Sequence, residues 1–246
     1  MKILVCISKA PDTTTKIAFT DNNTRFDESG VQFIVNPYDE WYALVRGLEL
    51  KEAHEGSVTT ITVGEADDDA IIRKALAIGA DDAVRINTKA TDAFQVAKEI
   101  ASYAKDKGYD LILTGKETIN YNGSQVGGMI AEHLDIPFIS LATKLDVDGS
   151  TAKLDKEIVG GSQSVEAELP LVASCAKGMA EQRIPNMRGI MAARSKPLNV
   201  VDPVGADKQT SFERFELPPP KAEVKLIDPE NMDKLVELLH NEAKVI

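Results

Sequence analysis

Cysteine and histidine are scarce in this chain, and no apolar run is long. The two cysteines, Cys6 and Cys175, each lie inside an apolar stretch (ILVCI and LVASCA). That placement predicts buried free thiols in a reducing compartment rather than a disulfide. The three histidines, His54, His133 and His240, stand apart on helical patterns, with no serine or cysteine set beside them as a nucleophile, so none is read as catalytic. No Cys/His cluster has metal-ligand spacing. Nothing approaches the roughly 20 apolar residues of a membrane span, and the apolar part of MKILVCISKAPD is too brief for a secretory signal, so the expected location is the cytoplasm. Positive charge is in the minority: 28 Lys and Arg against 39 Asp and Glu leave a formal net charge of −11, which argues against a nucleic-acid backbone and for basic partners. The usual nucleotide fingerprints are missing too. No G-x-G-x-x-G follows the first strand, and no G-x-x-x-x-G-K-[ST] occurs anywhere.

The chain does contain short β-branched runs alternating with helical patterns. Runs at 3–7, 58–63, 83–86, 111–113 and 138–141 read as strands. Between them, Trp41, Leu44, Val45 and Leu48, then Ile72, Ala75, Leu76 and Gly79, and then Phe94 through Ala104 recur at helical spacing, and a fourth helix carries Met129, Ile130 and Leu134. This alternation predicts an α/β fold with an open, doubly wound, mostly parallel sheet. From about residue 142 polar and apolar residues alternate around Asp148-Gly149, a hairpin signal that predicts an antiparallel addition. Two regions are expected: 1–196 as the α/β domain, and 197–246 as an extended arm with three consecutive prolines. The arm should end in a helix at 229–244, capped by Asp228 and striped with Met232, Leu235, Val236, Leu238 and Leu239. That stripe must be buried on its own domain or on another chain.

In an open α/β sheet, ligands lie beyond the carboxyl ends of the strands, near the point where strand order reverses. Four stretches fall there: CISKAPD, NPYD, TVGEA and TGKETINYNGSQVGG. The last starts a helix with small residues that let a phosphate approach backbone N–H groups, with Ser124 and Gln125 as donors. A plain glycine-rich turn is the competing account of that stretch, but the four together favour an adenine-nucleotide pocket. The acidic run from Glu65 to Asp69 opens a helix, where negative charge complements the helix dipole; this account is preferred to a cation site.

The blocks KILVCISK, NPYDE, RKALAIGADDAVRI, YDLILTGKETINYNGSQVGGMIAEHL, KEIVGG, LPLVAS and RIPNMRGIMAARSKPL, in this order and spacing, resemble the β subunit of electron transfer flavoprotein. The resemblance implies an adenine nucleotide alpha hydrolase-like fold. It also implies a heterodimer with an α subunit that carries the redox-active FAD, and a role that takes electrons from flavin-containing dehydrogenases and delivers them to an acceptor oxidoreductase, without stand-alone catalysis. It implies AMP as a structural ligand here, or a second FAD in the same pocket in electron-bifurcating members. On this sequence the family's ligand contacts fall on Cys6, on Asn36, Pro37, Tyr38 and Asp39, on Val63, and on a long segment holding Gly115, Asn120, Asn122, Gly123, Ser124, Gln125, Val126 and Gly127. Thr13 stands where simpler carriers place an aromatic that reaches the partner's flavin, a pattern shared with bifurcating members whose own FAD oxidises NADH. EQRIPNMRGIMAAR aligns with the family's partner-recognition loop, with Met187 as the anchor among Arg183, Pro185, Arg188, Ile190 and Met191. Methionine, unbranched and polarizable, suits pockets of several shapes. A stand-alone nucleotide-binding sensor is the remaining alternative.

Overall fold

The computed structural model describes residues 1–221 and 223–246. In chain order the elements are β1 Lys2–Cys6, β2 Lys9–Pro11, β3 Phe19–Thr20, β4 Arg25–Phe26, β5 Phe33–Val35, α1 Asp39–His54, β6 Ser57–Gly64, α2 Asp69–Ile78, β7 Asp82–Asn87, α3 Ala93–Ala104, β8 Leu111–Gly115 and α4 Val126–Leu134. Then come β9 Phe138–Asp148, β10 Thr151–Ile158, β11 Gly161–Glu168, β12 Leu171–Cys175, α5 Met187–Ala193, β13 Leu198–Val201 and α6 Met232–Glu237. Nine strands form one sheet in the order β11-β10-β9-β12-β8-β1-β6-β7-β13. All pairs from β9 to β13 are parallel, and β10 and β11 add on antiparallel. The expected α/β sheet with its antiparallel addition is therefore the fold observed.

Alternation along the strands divides the core in two. Ile3 and Val5 point to the face covered by α1 and α2, where Leu44, Leu48, Ile72 and Leu76 are buried. Leu4 and Cys6 point to the opposite face, against Ala97, Ile100 and Ala101 of α3 and Ile130 of α4. Both faces are thus apolar, which is why the central strands read as continuous hydrophobic runs. From β1 the chain winds one way through β6 and β7, and then returns to place β8 and β12 on the other side of β1. The strand order reverses between β1 and β8. Both cysteines are free and buried.

Three expectations need correction. Residues Leu198–Val201, read as the beginning of the arm, pair with β7 as an edge strand; a four-residue edge strand is too short to show a period. Asp228 does not cap the terminal helix. Asn231 does so, its side chain accepting from the Lys234 N–H, while Asp228 accepts from the Glu230 N–H in the preceding turn. The terminal helix is also irregular, α over Met232–Glu237 and π over Leu238–Ala243, and none of its residues is buried. Among the described residues no helix is long and apolar enough to cross a membrane.

Candidate nucleotide site and docking loop

The switch point between β1 and β8 is built around a buried amide. Asn36, fully buried, follows β5; its backbone N–H donates to the Ser8 carbonyl at 2.9 Å. Its side-chain NH₂ donates to Ser8 Oγ at 3.1 Å and to Asn120 Oδ1 at 3.2 Å, and its Oδ1 accepts from the Ile119 N–H at 3.1 Å. One side chain thereby ties the exit of β1 to the loop after β8. Such a frame needs every polar group satisfied, because an unpaired buried amide is costly.

Glu40, in the first turn of α1, closes the frame from below. It is 6 % exposed, and its carboxylate accepts from the Ser8 N–H at 2.7 Å and from Ser8 Oγ at 2.8 Å. Burial pushes its carboxyl up to about 8, against the two bonds from Ser8, which favour the charged form. Asp39 is pushed up to about 6, again by burial, with Lys116 opposing. Burial, followed by the Glu40 charge, raises the Cys6 thiol. Burial thus makes negative charge on the floor of the frame costly, most of all at Glu40.

Three features distinguish the 115–127 segment. Gly115 is packed so closely that a Cβ would meet the Glu40 backbone nitrogen at 2.9 Å, and at Gly127 it would meet Thr114 Oγ1 at 2.8 Å. Thr114 Oγ1 is buried and has no hydrogen-bond partner, at the point where α4 begins. Tyr38, Asn122 and Ser124 all hold positive φ (65°, 49° and 53°), a conformation uncommon outside glycine.

Asn36, Asp39, Cys6, Val63 and Gly127 are buried, and Pro37, Gly115 and Val126 are half-buried. Tyr38, Asn120, Asn122, Gly123, Ser124 and Gln125 line the exposed rim. Only Asn36 and Asn120 bond directly to each other. Sequence reasoning passed over Ser8 and Glu40. Ser8 lies within a stretch assigned to the strand ends, whereas Glu40 reads as an ordinary acidic residue in a first helical turn. The acidic run does open a helix, with a reciprocal cap between Glu65 and Asp68. It is also held by Lys9, at 3.0 Å from Asp67 and 2.7 Å from Asp68, and by Arg85 at 2.7 Å from Asp69. No metal-binding cluster occurs among the described residues.

The 181–194 loop is organised in the opposite sense. Asn186 caps α5 by accepting from the Gly189 N–H, and Gly189 lets the helix lie against the Ala77 carbonyl, where a Cβ would clash. Arg183 is fixed by two bonds to Glu52, at 2.7 and 3.1 Å, and its carbonyl accepts from Trp41 Nε1. Arg73 donates to the Ala193 and Lys196 carbonyls, and Lys196 Nζ to the Leu76 and Ala80 carbonyls. The loop is thus tied down on both sides, yet Met187 remains 72 % exposed, Met191 66 % and Ile190 42 %. Pro185 is half-buried and Arg188 exposed. Ile184, 80 % exposed, joins this apolar patch and was not singled out from sequence. A cleft of about 370 Å³ separates the loop from the end of α2.

Comparison with known proteins decides the family. The model of the electron transfer flavoprotein domain matches residues 23–205. Electron transfer flavoprotein subunit beta of Bacillus subtilis is 36 % identical, covering 100 % of both chains. The subunit of the same name from Syntrophomonas wolfei is 35 % identical, over 100 % of this chain and 98 % of its own. The chain belongs to the electron transfer flavoprotein β-subunit family. A more distant relative, the acryloyl-CoA reductase electron transfer subunit gamma of Anaerotignum propionicum, is 31 % identical over 82 % of this chain and 78 % of its own. Family membership carries an electron-transfer role, and the nine-stranded α/β sheet agrees with it.

Proposed function

We propose that this chain is the scaffold and docking subunit of a heterodimeric electron transfer flavoprotein. Its α subunit carries the FAD, which supplies the electron-accepting chemistry when bound. This chain helps enclose that FAD, holds AMP at the β1/β8 switch point and presents the 181–194 loop to flavin dehydrogenases; an acceptor oxidoreductase then takes the electrons. What carries the reading is the position of the 115–127 segment at the switch point of a chain that matches β subunits from end to end. Asn36 and Ser8 would hold the segment in shape. Backbone N–H groups at 123–127, with Ser124 and Thr114, would take the phosphate, and Cys6 and Val63 would flank the adenosine. The α subunit would cover the exposed stripe of the terminal helix, where Met232 is 56 % and Val236 53 % exposed.

A second reading is that the pocket holds the ADP part of a second FAD. It is favoured by the turn at Thr13, where Asp12 Oδ1 accepts from the Thr14 N–H and Oγ1. A polar cleft of about 370 Å³, lined by Asp12, Thr14, Lys16 and Ser29 among others, lies beside that turn.

Chromatographic analysis of nucleotides released from the purified heterodimer separates the readings. One FAD and one AMP are expected per heterodimer. Two FAD and no AMP would establish the second reading, and a complex without any adenine compound beyond one FAD would overturn the AMP site.

A further inference from the structure

The arm does not leave the domain at residue 201 but runs across it. Glu99 of α3, 2 % exposed, accepts from the backbone N–H groups of Val204, Gly205 and Ala206 at 2.8–3.0 Å. Asp92, which caps α3 through its other oxygen, accepts from the N–H groups of Gln209 at 2.5 Å and Thr210 at 2.7 Å. Two carboxylates thus satisfy five arm amides, in two groups, by charge-assisted bonds. Beyond them a line of rings begins. Phe212 stacks on Tyr121 with centroids 5.8 Å apart, Phe212 lies 5.3 Å from Phe215, and Phe215 stacks on Phe19 at 5.1 Å. The Phe215 N–H donates to the Asn23 carbonyl at 2.7 Å. Tyr121 belongs to the 115–127 segment and sits between Asn120, bonded to Asn36, and Asn122, held at positive φ.

We propose that arm residues 204–215 are a positioning element of the nucleotide site, with Phe212 the residue through which they act. The arm is fastened at one end by Glu99 and Asp92 and at the other by the Phe19 hairpin, so it holds the Tyr121 ring from outside. The strained turn at Asn122–Ser124 is thereby kept in the form that accepts an anion. Thermodynamic reciprocity then requires that a ligand seated on the segment tighten the arm. The proposal rests on AMP being the ligand of this pocket.

The test uses the nucleotide-free heterodimer and AMP as the probe, with affinity read by calorimetry and arm protection by backbone hydrogen exchange. In the wild type, AMP should slow exchange across 204–215. Phe212→Ala should weaken AMP roughly three- to tenfold, the scale of one aromatic pair, and abolish that slowing while leaving the urea midpoint in place. Phe212→Tyr should restore both. Wild-type AMP affinity in Phe212→Ala, or AMP binding without any change in arm exchange, overturns the positioning role alone. A wild-type heterodimer that binds no AMP overturns the ligand assignment, and the proposal with it.

Discussion

The frame around Asn36 and the loop at 181–194 are both short irregular stretches that lead into a helix, yet they turn opposite faces to water. In the first, polar groups point inward and are paired: Asn36 with Ser8, Asn120 and Ile119, and Glu40 with Ser8. In the second, polar groups tie the backbone down, with Arg183 on Glu52 and Asn186 on Gly189, while Ile184, Met187 and Met191 point outward. The contrast separates two uses of a loop. A pocket for a small polar ligand needs interior hydrogen bonds and close backbone approach; a docking surface needs a fixed base and an unpaired apolar tip.

Substitutions should divide the two regions sharply. Asn36→Ala removes three side-chain bonds inside the frame and leaves the Ile119 N–H without its partner. Urea unfolding should show a loss of roughly 2–3 kcal/mol, with AMP binding lost as well. Full stability in this variant would mean that the frame does not hold the switch point together.

Glu40→Gln should act in a pH-dependent way. The folded chain keeps the Glu40 proton up to about 8, against an ordinary value of 4.5. Between those values the folded state binds a proton that the unfolded state has lost, so wild-type stability falls as pH rises through the window and levels off above it. Glutamine removes that slope. The variant's relative stability should therefore rise with pH, by roughly 1 kcal/mol per pH unit within the window, measured as unfolding midpoints in a pH series. Parallel curves for the two proteins would place the Glu40 titration elsewhere.

At the 181–194 loop the expected stability change is smallest. Met187→Ala should shift unfolding by less than about 0.5 kcal/mol, as exposed substitutions do. It should nevertheless slow flavin reduction by a dehydrogenase partner, since burying a methionine contributes about 1.5–3 kcal/mol. Unchanged partner kinetics would remove the anchor role from Met187.

Much of this arrangement was legible in the residues. The parallel strands announce themselves as runs buried on both faces, and the glycine-bearing segment at 115–127 lies where open α/β sheets bind ligands. The features that escaped notice depend on contacts distant in sequence. Glu40 meets Ser8 across 32 positions, and nothing in the first turn of a helix distinguishes a buried carboxylate from one that complements the dipole. The hold of Glu99 and Asp92 on the arm is made through backbone amides, which any sequence supplies, so no pattern records it. The terminal cap was misplaced because Asp228 and Asn231 are both good capping residues, and the choice between them depends on where the chain turns.

The tethering of α5 to the foot of α2 through Gly189, Arg73 and Lys196 also has a kinetic side. A protrusion already held in shape sacrifices little freedom when another molecule closes over it. Under the proposed docking role, contact can then be brief without being nonspecific.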